Sequence, residues 1–383
     1  MNELVVLHWN YRGFTEFPLQ KLLGEETDVV DIYLKENLIS RIPSDICKLS
    51  NLESLYLSGN DITELPREIS KLRSLKCLDI SGNRLRFIPE EIAEAKNLKF
   101  LILDENELNE LPPRLAELRA LRYLSVCDNK LQWLPQRPVF NYHHCEFRFW
   151  RNTDLRTVPY SLWFHMFREQ QIRSLNIGCL KATEQSSEGS IKILSKDKKF
   201  HSVIRAPGAY NTLMQNTNVT APSLFELSKR KFYQILYTTA NFLNNRPEDS
   251  YIDKINEGTC ALEEHLEGIN IKKQNNINGN YKTSFGIINR RAKRIYVPSD
   301  IIEECYYYLP NLMKSDLCKG PVSRCENVIC KKPVFDFVFL EFCKQKITLI
   351  DKTEDVLLSA VFCSKKCADL WKAEKNVLDW KLL

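Results

Sequence analysis

The residues best suited to chemistry lie near the C-terminal end of the 383-residue chain, in "SRCENVICKKP" and "AVFCSKKCADLW". They are Cys325 and Cys330, with four residues between them, and Cys363 and Cys367, with three. Two close pairs separated by a β-rich stretch, 335–350, supply four thiolates to one tetrahedral Zn²⁺. Four thiolates fill the coordination sphere, so the expected metal is structural and has no open catalytic position. The competing reading is four buried free cysteines. Cys318 and Cys343 stand nearby in sequence as substitutes or bystanders. The thirteen cysteines are odd in number and most stand singly inside regular elements, which suits a reducing compartment rather than a disulfide framework.

Other chemistry is not encoded in a recognisable pattern. The chain has no phosphate-binding loop, no nucleophile elbow and no HExxH, and its six histidines do not cluster with carboxylates at ligand spacing. The expectation is a protein that is not an enzyme. A net charge of +5 is spread thinly and by itself argues for no nucleic-acid or membrane surface, so neither partner is expected. The opening "MNELVVLHWN" lacks a basic leader, and no apolar run is long enough to span a bilayer. A cytoplasmic location follows, extended to the nucleus if the basic "NRRAKR" at 289–294 is a signal rather than a solvated stretch.

The elements that must position the cysteines begin with an array. "LESLYLSGNDITELP" at 52–66 recurs as "LKCLDISGNRLRFIP", "LKFLILDENELNELP" and "LRYLSVCDNKLQWLP", each 23 residues on. Asn37, Asn60, Asn83, Asn106, Asn129 and Asn152 mark the same period. The unit LxxLxLxxNxLxxLPxxI is the leucine-rich repeat pattern, which builds a horseshoe of short parallel strands. Leu52, Leu55, Leu57, Ile62, Leu65, Ile69 and Leu72 point inward and are buried only by stacking of neighbouring units. The asparagine amide serves backbone groups that the turns would otherwise bury without partners. About seven units fill residues 1–168, from a degenerate first turn with Asn10 and Pro18 to an atypical last one at 143–159.

Strand positions between the leucines face the concave side, where such arrays hold their partners. Tyr33, Tyr56, Phe100, Ile102, Tyr123, Arg148 and Trp150 are the expected contacts to a substrate protein, with Asp31, Asp79, Asp104 and Asp128 among them. Past Gly178 the repeat is lost, and 169–220 reads as a linker. A helix follows over 221–243, started by a capping box of Ser223 and Glu226. The Asn-rich 244–294 reads as a flexible insertion. A second helical segment, 295–312, precedes the cysteine-rich zinc-binding tail at 318–383. The fold class is therefore α/β: a solenoid, a helical box, and a small zinc-ribbon-like β-rich tail.

The helical segments also carry a resemblance. Ser223-Leu224, Ser228 and Phe232 resemble the elongin-binding box of SOCS-box proteins, with serine where that box usually has cysteine. Val297, Pro298, Ile301 and Cys305 resemble the cullin box. With "NYRGFTEFPLQKLL", "NTDLRTVPYSL" and the final cysteine pairs, most of the chain resembles a branch of leucine-rich repeat-containing proteins, the members numbered twenty-eight and fifty-eight. The resemblance implies a solenoid with a zinc-ribbon-like tail. For the second member it also implies a non-catalytic substrate receptor of an elongin B/C–cullin ubiquitin ligase. Leu224, Ser228 and Phe232 would contact elongin, and Val297, Pro298 and Ile301 the cullin. The alternative is an intracellular signalling scaffold that holds a GTPase or phosphatase on the concave face.

Overall fold

In the computed structural model the 23-residue period becomes a seven-stranded parallel sheet. The structure describes residues 5–22, 29–139, 144–163, 174–178, 190–194, 201–207, 210, 212–214, 222–244, 302, 308–373 and 375–383. The strands are β1 (Val5–His8), β2 (Val29–Tyr33), β3 (Ser54–Tyr56), β4 (Cys77–Asp79), β5 (Phe100–Ile102), β6 (Tyr123–Ser125) and β7 (Glu146–Arg148), each hydrogen-bonded to the next. Between strands the chain returns through short 3₁₀ turns such as Arg67–Lys71 and Glu90–Glu94. Pro66 and Pro89 precede these turns with φ of −69° and −63°, the angle their rings impose. Leu55, Leu78, Leu101 and Leu124 are fully buried and pair in register across neighbouring strands.

The asparagines form the expected ladder. Asn83 accepts from the Ile62 N–H at 2.9 Å and donates to the Leu57 and Ile80 carbonyls at 2.9 and 3.1 Å. Asn106 repeats this one turn on, with Leu85 N–H, Ile80 O and Leu103 O. The degenerate first turn joins the ladder, because Asn10 Oδ1 accepts from Lys35 N–H at 2.8 Å. The residue before each asparagine is left-handed: Glu36, Gly59, Gly82, Glu105, Asp128 and Arg151 all have φ between 52° and 69°. At Gly59 the left-handed φ of 69° favours glycine, the residue that adopts it without steric cost. Ion pairs link successive turns at the surface, including Arg84–Asp61 at 2.7 Å and Lys130–Glu107 at 3.5 Å.

A second sheet closes the array. Its order is β10 (His201–Arg205), β9 (Ser190–Leu194), β16 (Val377–Leu382), β14 (Phe337–Thr348), β15 (Thr353–Phe362) and β8 (Val158–Pro159), and β11 (Thr212–Met214) also pairs with β14. A small ladder joins β12 (Ser323–Arg324) to β13 (Pro333–Val334). Two expectations change here. Where the sequence suggests a linker at 169–220, β9, β10 and β11 run; β10 pairs with β9, while β9 and β11 pair with strands from the far end of the chain. The cysteine-rich tail is not set apart from the solenoid. Leu358 and Ser359 pair with Val158 and Pro159, and one apolar core runs from the repeats into the second sheet. The cause is physical: the last repeat has an open apolar end, and the second sheet covers it.

The chain divides into two compact units, Met1–Leu227 with Lys319–Leu383, and Ser228–Cys318. The helix expected over 221–243 is present as α1 (Leu224–Asn244), and α2 spans Asn311–Lys319. In the second unit Lys229 Nζ of α1 meets Asp316 Oδ2 of α2 at 2.8 Å. The insertion at 244–294 falls almost wholly outside the described residues, as do Val297, Pro298, Ile301 and Cys305.

Because each asparagine serves several buried backbone groups, Asn83→Ala should destabilise the protein by about 1–3 kcal/mol. Asn106→Ala should do the same, while an exposed control such as Arg41→Ala changes little. Denaturant titration measures the difference, and a melt identical to wild type would remove the ladder as a source of stability.

Candidate functional site

The four cysteines of the two sequence pairs come together. Cys325 follows β12, Cys330 ends a tight loop, Cys363 follows β15, and Cys367 lies in the first turn of α3 (Lys365–Lys372). Their Sγ atoms all lie within 4.8 Å of one another, with Cys330–Cys363 at 3.5 Å and Cys363–Cys367 at 3.9 Å. A tetrahedral ion with metal–sulfur bonds of about 2.3 Å has a sulfur–sulfur edge of about 3.8 Å, so the set fits one metal ion. These separations are far beyond a disulfide bond of about 2.05 Å.

Local structure explains how the cysteines are held. Asn327 Oδ1 accepts from the Ile329 and Cys330 N–H groups at 3.0 and 3.3 Å, folding the first loop. Lys331 then turns left-handed at φ 49° to bring the chain back. Ser364 caps α3 by accepting from Cys367 N–H at 3.3 Å. Behind the loop Trp371 is buried against Phe362 and Tyr160, with ring centroids 5.3 and 5.1 Å away. Hydrogen bonds from Cys325 first, then from Cys330, Cys367 and Ser364, push Cys363 down to about 5. Cys325 is pushed up by its bond to Cys363 and by burial, and burial raises Cys330 to about 11. Shared hydrogen bonds thus favour a thiolate within the group, and a cation displacing the protons would be held by all four sulfurs.

Cys343 is not a member of the group. It is buried in β14, where burial raises its thiol to about 12. Cys318 lies in α2 and is also outside the group.

On the concave face the parallel register aligns side chains in rows. One row holds His8, Tyr33 and Tyr56. Tyr33 stacks on His8 at 4.8 Å and on Tyr56 at 4.6 Å, close to the strand separation itself. Lys35 lies over the Tyr56 ring at 5.2 Å. Burial, then a hydrogen bond with Cys77, pushes the Tyr56 hydroxyl above its usual range. Ile102 continues this row further along and is half-buried.

The neighbouring row places exposed Phe100 beside half-buried Tyr123, and the Arg148 guanidinium covers the Tyr123 ring at 5.4 Å. Sequence reasoning passed over Lys99 and Arg122, exposed residues at the starts of β5 and β6 that give this edge a basic character. The carboxylates expected among the contacts are mostly tied internally. Asp79 accepts from Ser81, Asp104 from Ser125 Oγ at 2.6 Å and Cys127 N–H at 2.7 Å, and Asp128 pairs with Arg151.

Trp150 departs from expectation. It is buried, packed on Phe149 with ring centroids 4.2 Å apart, and offers no contact surface. Its row begins with half-buried residues such as Ser58 and Ser81, but the last two turns place Cys127 and then the Trp150 ring in the core.

The first two turns of α1 are inverted in polarity, whereas further along Tyr233 and Leu236 are buried and Lys231 and Gln234 exposed. Leu224, Leu227 and Ser228 are exposed and Phe232 is half-buried, whereas Glu226, Lys229, Arg230 and Tyr233 are buried. Ser223 caps the helix as expected, accepting from Glu226 N–H at 3.1 Å. The Glu226 carboxylate does more than the sequence suggests. It accepts from the N–H groups of Phe335 and Asp336 at 3.2 and 3.0 Å, at the entry to β14.

A leucine-rich repeat array, closed by a β-sheet that bears a four-cysteine cluster, is the class these features define. The protein-family model described as "Leucine rich repeat" matches residues 28–85. No curated protein matches the chain. Among solved structures it is similar to a leucine-rich repeat protein of Leptospira interrogans, 32% identical over 36% of this chain and 34% of that one, with a TM-score of 0.30. An internalin of Listeria monocytogenes shares 24% identity over 27% of this chain and 29% of that one, with a TM-score of 0.25. The plant peptide hormone receptor RGFR1 in complex with RGF2 is 23% identical over 36% of this chain and 26% of that one, with a TM-score of 0.30. The chain thus spans about a third or less of each of these structures.

Metal analysis of freshly reduced protein should find about one ion per chain, and none would reject the site. Cys330→Ser should lose the ion and Cys343→Ser should keep it. Chelation should lower hydrogen-exchange protection first in β14, β15 and the last repeat, which share a sheet and a core. Protection in β2–β4 should outlast it.

Proposed function

We propose that this chain is a non-catalytic substrate receptor of an elongin B/C–cullin ubiquitin ligase. The leucine-rich repeat array is a protein-binding module, and the observation that supports the docking half is the inverted polarity of the first two turns of α1. A helix in water that buries Glu226 and Lys229 while exposing Leu224 and Leu227 presents an apolar face suited to another chain. Leu224, Ser228 and Phe232 are spaced about one turn apart and resemble the elongin-binding box in order, with serine in place of its usual cysteine. Leu224, 82% exposed, is the anchor that would enter a pocket on the adaptor. Small Ser228 lets a partner helix approach closely. Val297, Pro298 and Ile301 would contact the cullin.

Substrate would bind on the concave face through Tyr33, Tyr56, Phe100, Ile102, Tyr123 and Arg148. Ubiquitin transfer then depends on holding the substrate at high effective concentration near chemistry done elsewhere. The metal is Zn²⁺, the ion that four thiolates at tetrahedral spacing favour, and its role is structural. The protein works in the cytoplasm and belongs beside the branch numbered twenty-eight and fifty-eight.

Leu224→Ala with Phe232→Ala should abolish recovery of elongin B/C from cells while leaving metal content and the melt of the array unchanged. Each hot-spot truncation is expected to cost about 2 kcal/mol or more of binding. Ser228→Cys should bind as well or better. If the wild type never recovers elongin B/C, the receptor reading fails and a scaffold that holds a GTPase or phosphatase stands in its place.

The two functions should separate. Phe100→Ala with Arg148→Ala should lose proteins that accumulate on the receptor under proteasome inhibition yet retain elongin B/C. Equal recovery of those proteins by the variant would move the substrate site off this row.

A further inference from the structure

The loop that brings Cys330 to the cluster ends in two β-branched apolar residues, Val328 and Ile329, which are 83% and 96% exposed. Scattered exposed apolar side chains are ordinary, but these are adjacent and sit on a rigid tip. Asn327 holds that tip by accepting from the N–H groups of Ile329, Cys330 and Lys331 through its side chain or its carbonyl. The pair is therefore fixed outward and has little freedom to fold back.

Basic residues surround it. Lys331 and Lys332 follow Cys330, and Lys365 and Lys366 lie between Cys363 and Cys367. Since the cysteine sulfurs lie within 4.8 Å of one another, all four lysines belong to one knob. Lys332 and Lys366 are exposed, and Leu370, one helical turn beyond Lys366, is 62% exposed. The acidic groups close in sequence are fewer. Glu326 is buried, Asp336 is half-buried, and Asp369 is the exposed carboxylate on α3. A tetrathiolate holding a divalent cation carries two negative charges, which the four lysines exceed. Neutralising the cluster would explain lysines but not an outward Val-Ile pair.

We infer that this knob is a membrane-surface contact, with Val328 and Ile329 entering the headgroup region of an anionic bilayer and the lysines pairing with its acidic lipids. An apolar tip ringed by lysine is complementary to that boundary, where an apolar interior lies directly beneath negative charge. The small charge of the whole chain conceals this local concentration.

The test is co-sedimentation of the full-length protein with vesicles of phosphatidylcholine plus phosphatidylserine, against phosphatidylcholine alone. Wild type should pellet with the anionic vesicles at low salt, stay in solution with the neutral ones, and be released as salt rises. Val328→Asn with Ile329→Asn should weaken binding about tenfold or more, with metal content unchanged. Lys332→Glu with Lys366→Glu should also release the protein, and it decides the matter if the asparagine variant loses its metal. Failure of wild type to pellet, or undiminished binding by the variants, would overturn the inference. So would equally tight, Val328- and Ile329-dependent capture on polyglutamate, which would make the knob a contact for an acidic protein.

Discussion

Every turn of a solenoid carries backbone N–H and C=O groups into its interior, where no water reaches them, and the structure depends on meeting that demand once per turn. A single asparagine does so, with its oxygen facing one turn and its amide facing two. Because the same residue must recur at the same distance, the array is held to its period, and the period holds strand against strand in fixed register. The concave rows follow from that register. Tyr33 stacks on Tyr56 because the strands beneath them are one hydrogen-bond spacing apart.

A stack built this way has ends, and an end is an open apolar surface beside a strand edge. Here the far end is met by a sheet assembled from β8 at the close of the repeats, β9–β11 and β14–β16 from beyond them. Gln136 Nε2 reaches Ser359 Oγ across that junction at 3.4 Å. The cysteine group ties the ends of β12 and β15 to α3, so a metal there braces the sheet that covers the array. Its influence on the repeats is mechanical, passed through a shared core.

The period could be read directly because leucine and asparagine at fixed spacing leave a local mark on the chain. The cysteine pairs were equally plain, since each pair lies within one short segment. The strands β9–β11 left no such mark. "SIKIL" and "TLM" are short, and although β9 forms a local hairpin with β10, the strands β16 and β14 that draw them into the sheet lie well over a hundred residues away. Trp150 misled for a related reason: its position in the repeat is half-buried at the earlier turns and becomes buried at the last two, at Cys127 and Trp150. Glu226 was legible as part of a cap, but its carboxylate serves amides of residues 335 and 336, and a purely local motif cannot show that.

The ion pairs between turns have a further consequence. Asp61, Arg84, Glu107 and Lys130 occupy one position in four successive repeats, and their charges alternate. Neighbouring turns therefore attract at the surface, each exposed pair by roughly 0.2–1 kcal/mol. In a chain of near-identical units, the characteristic folding error is to loop out one unit and stack the next in its place, which the leucine rows alone would scarcely oppose. Such a skip would set Asp61 against Glu107, or Arg84 against Lys130, and turn attraction into repulsion. The alternation works as a parity check on the array, weak at any one position but opposed to that error wherever it begins.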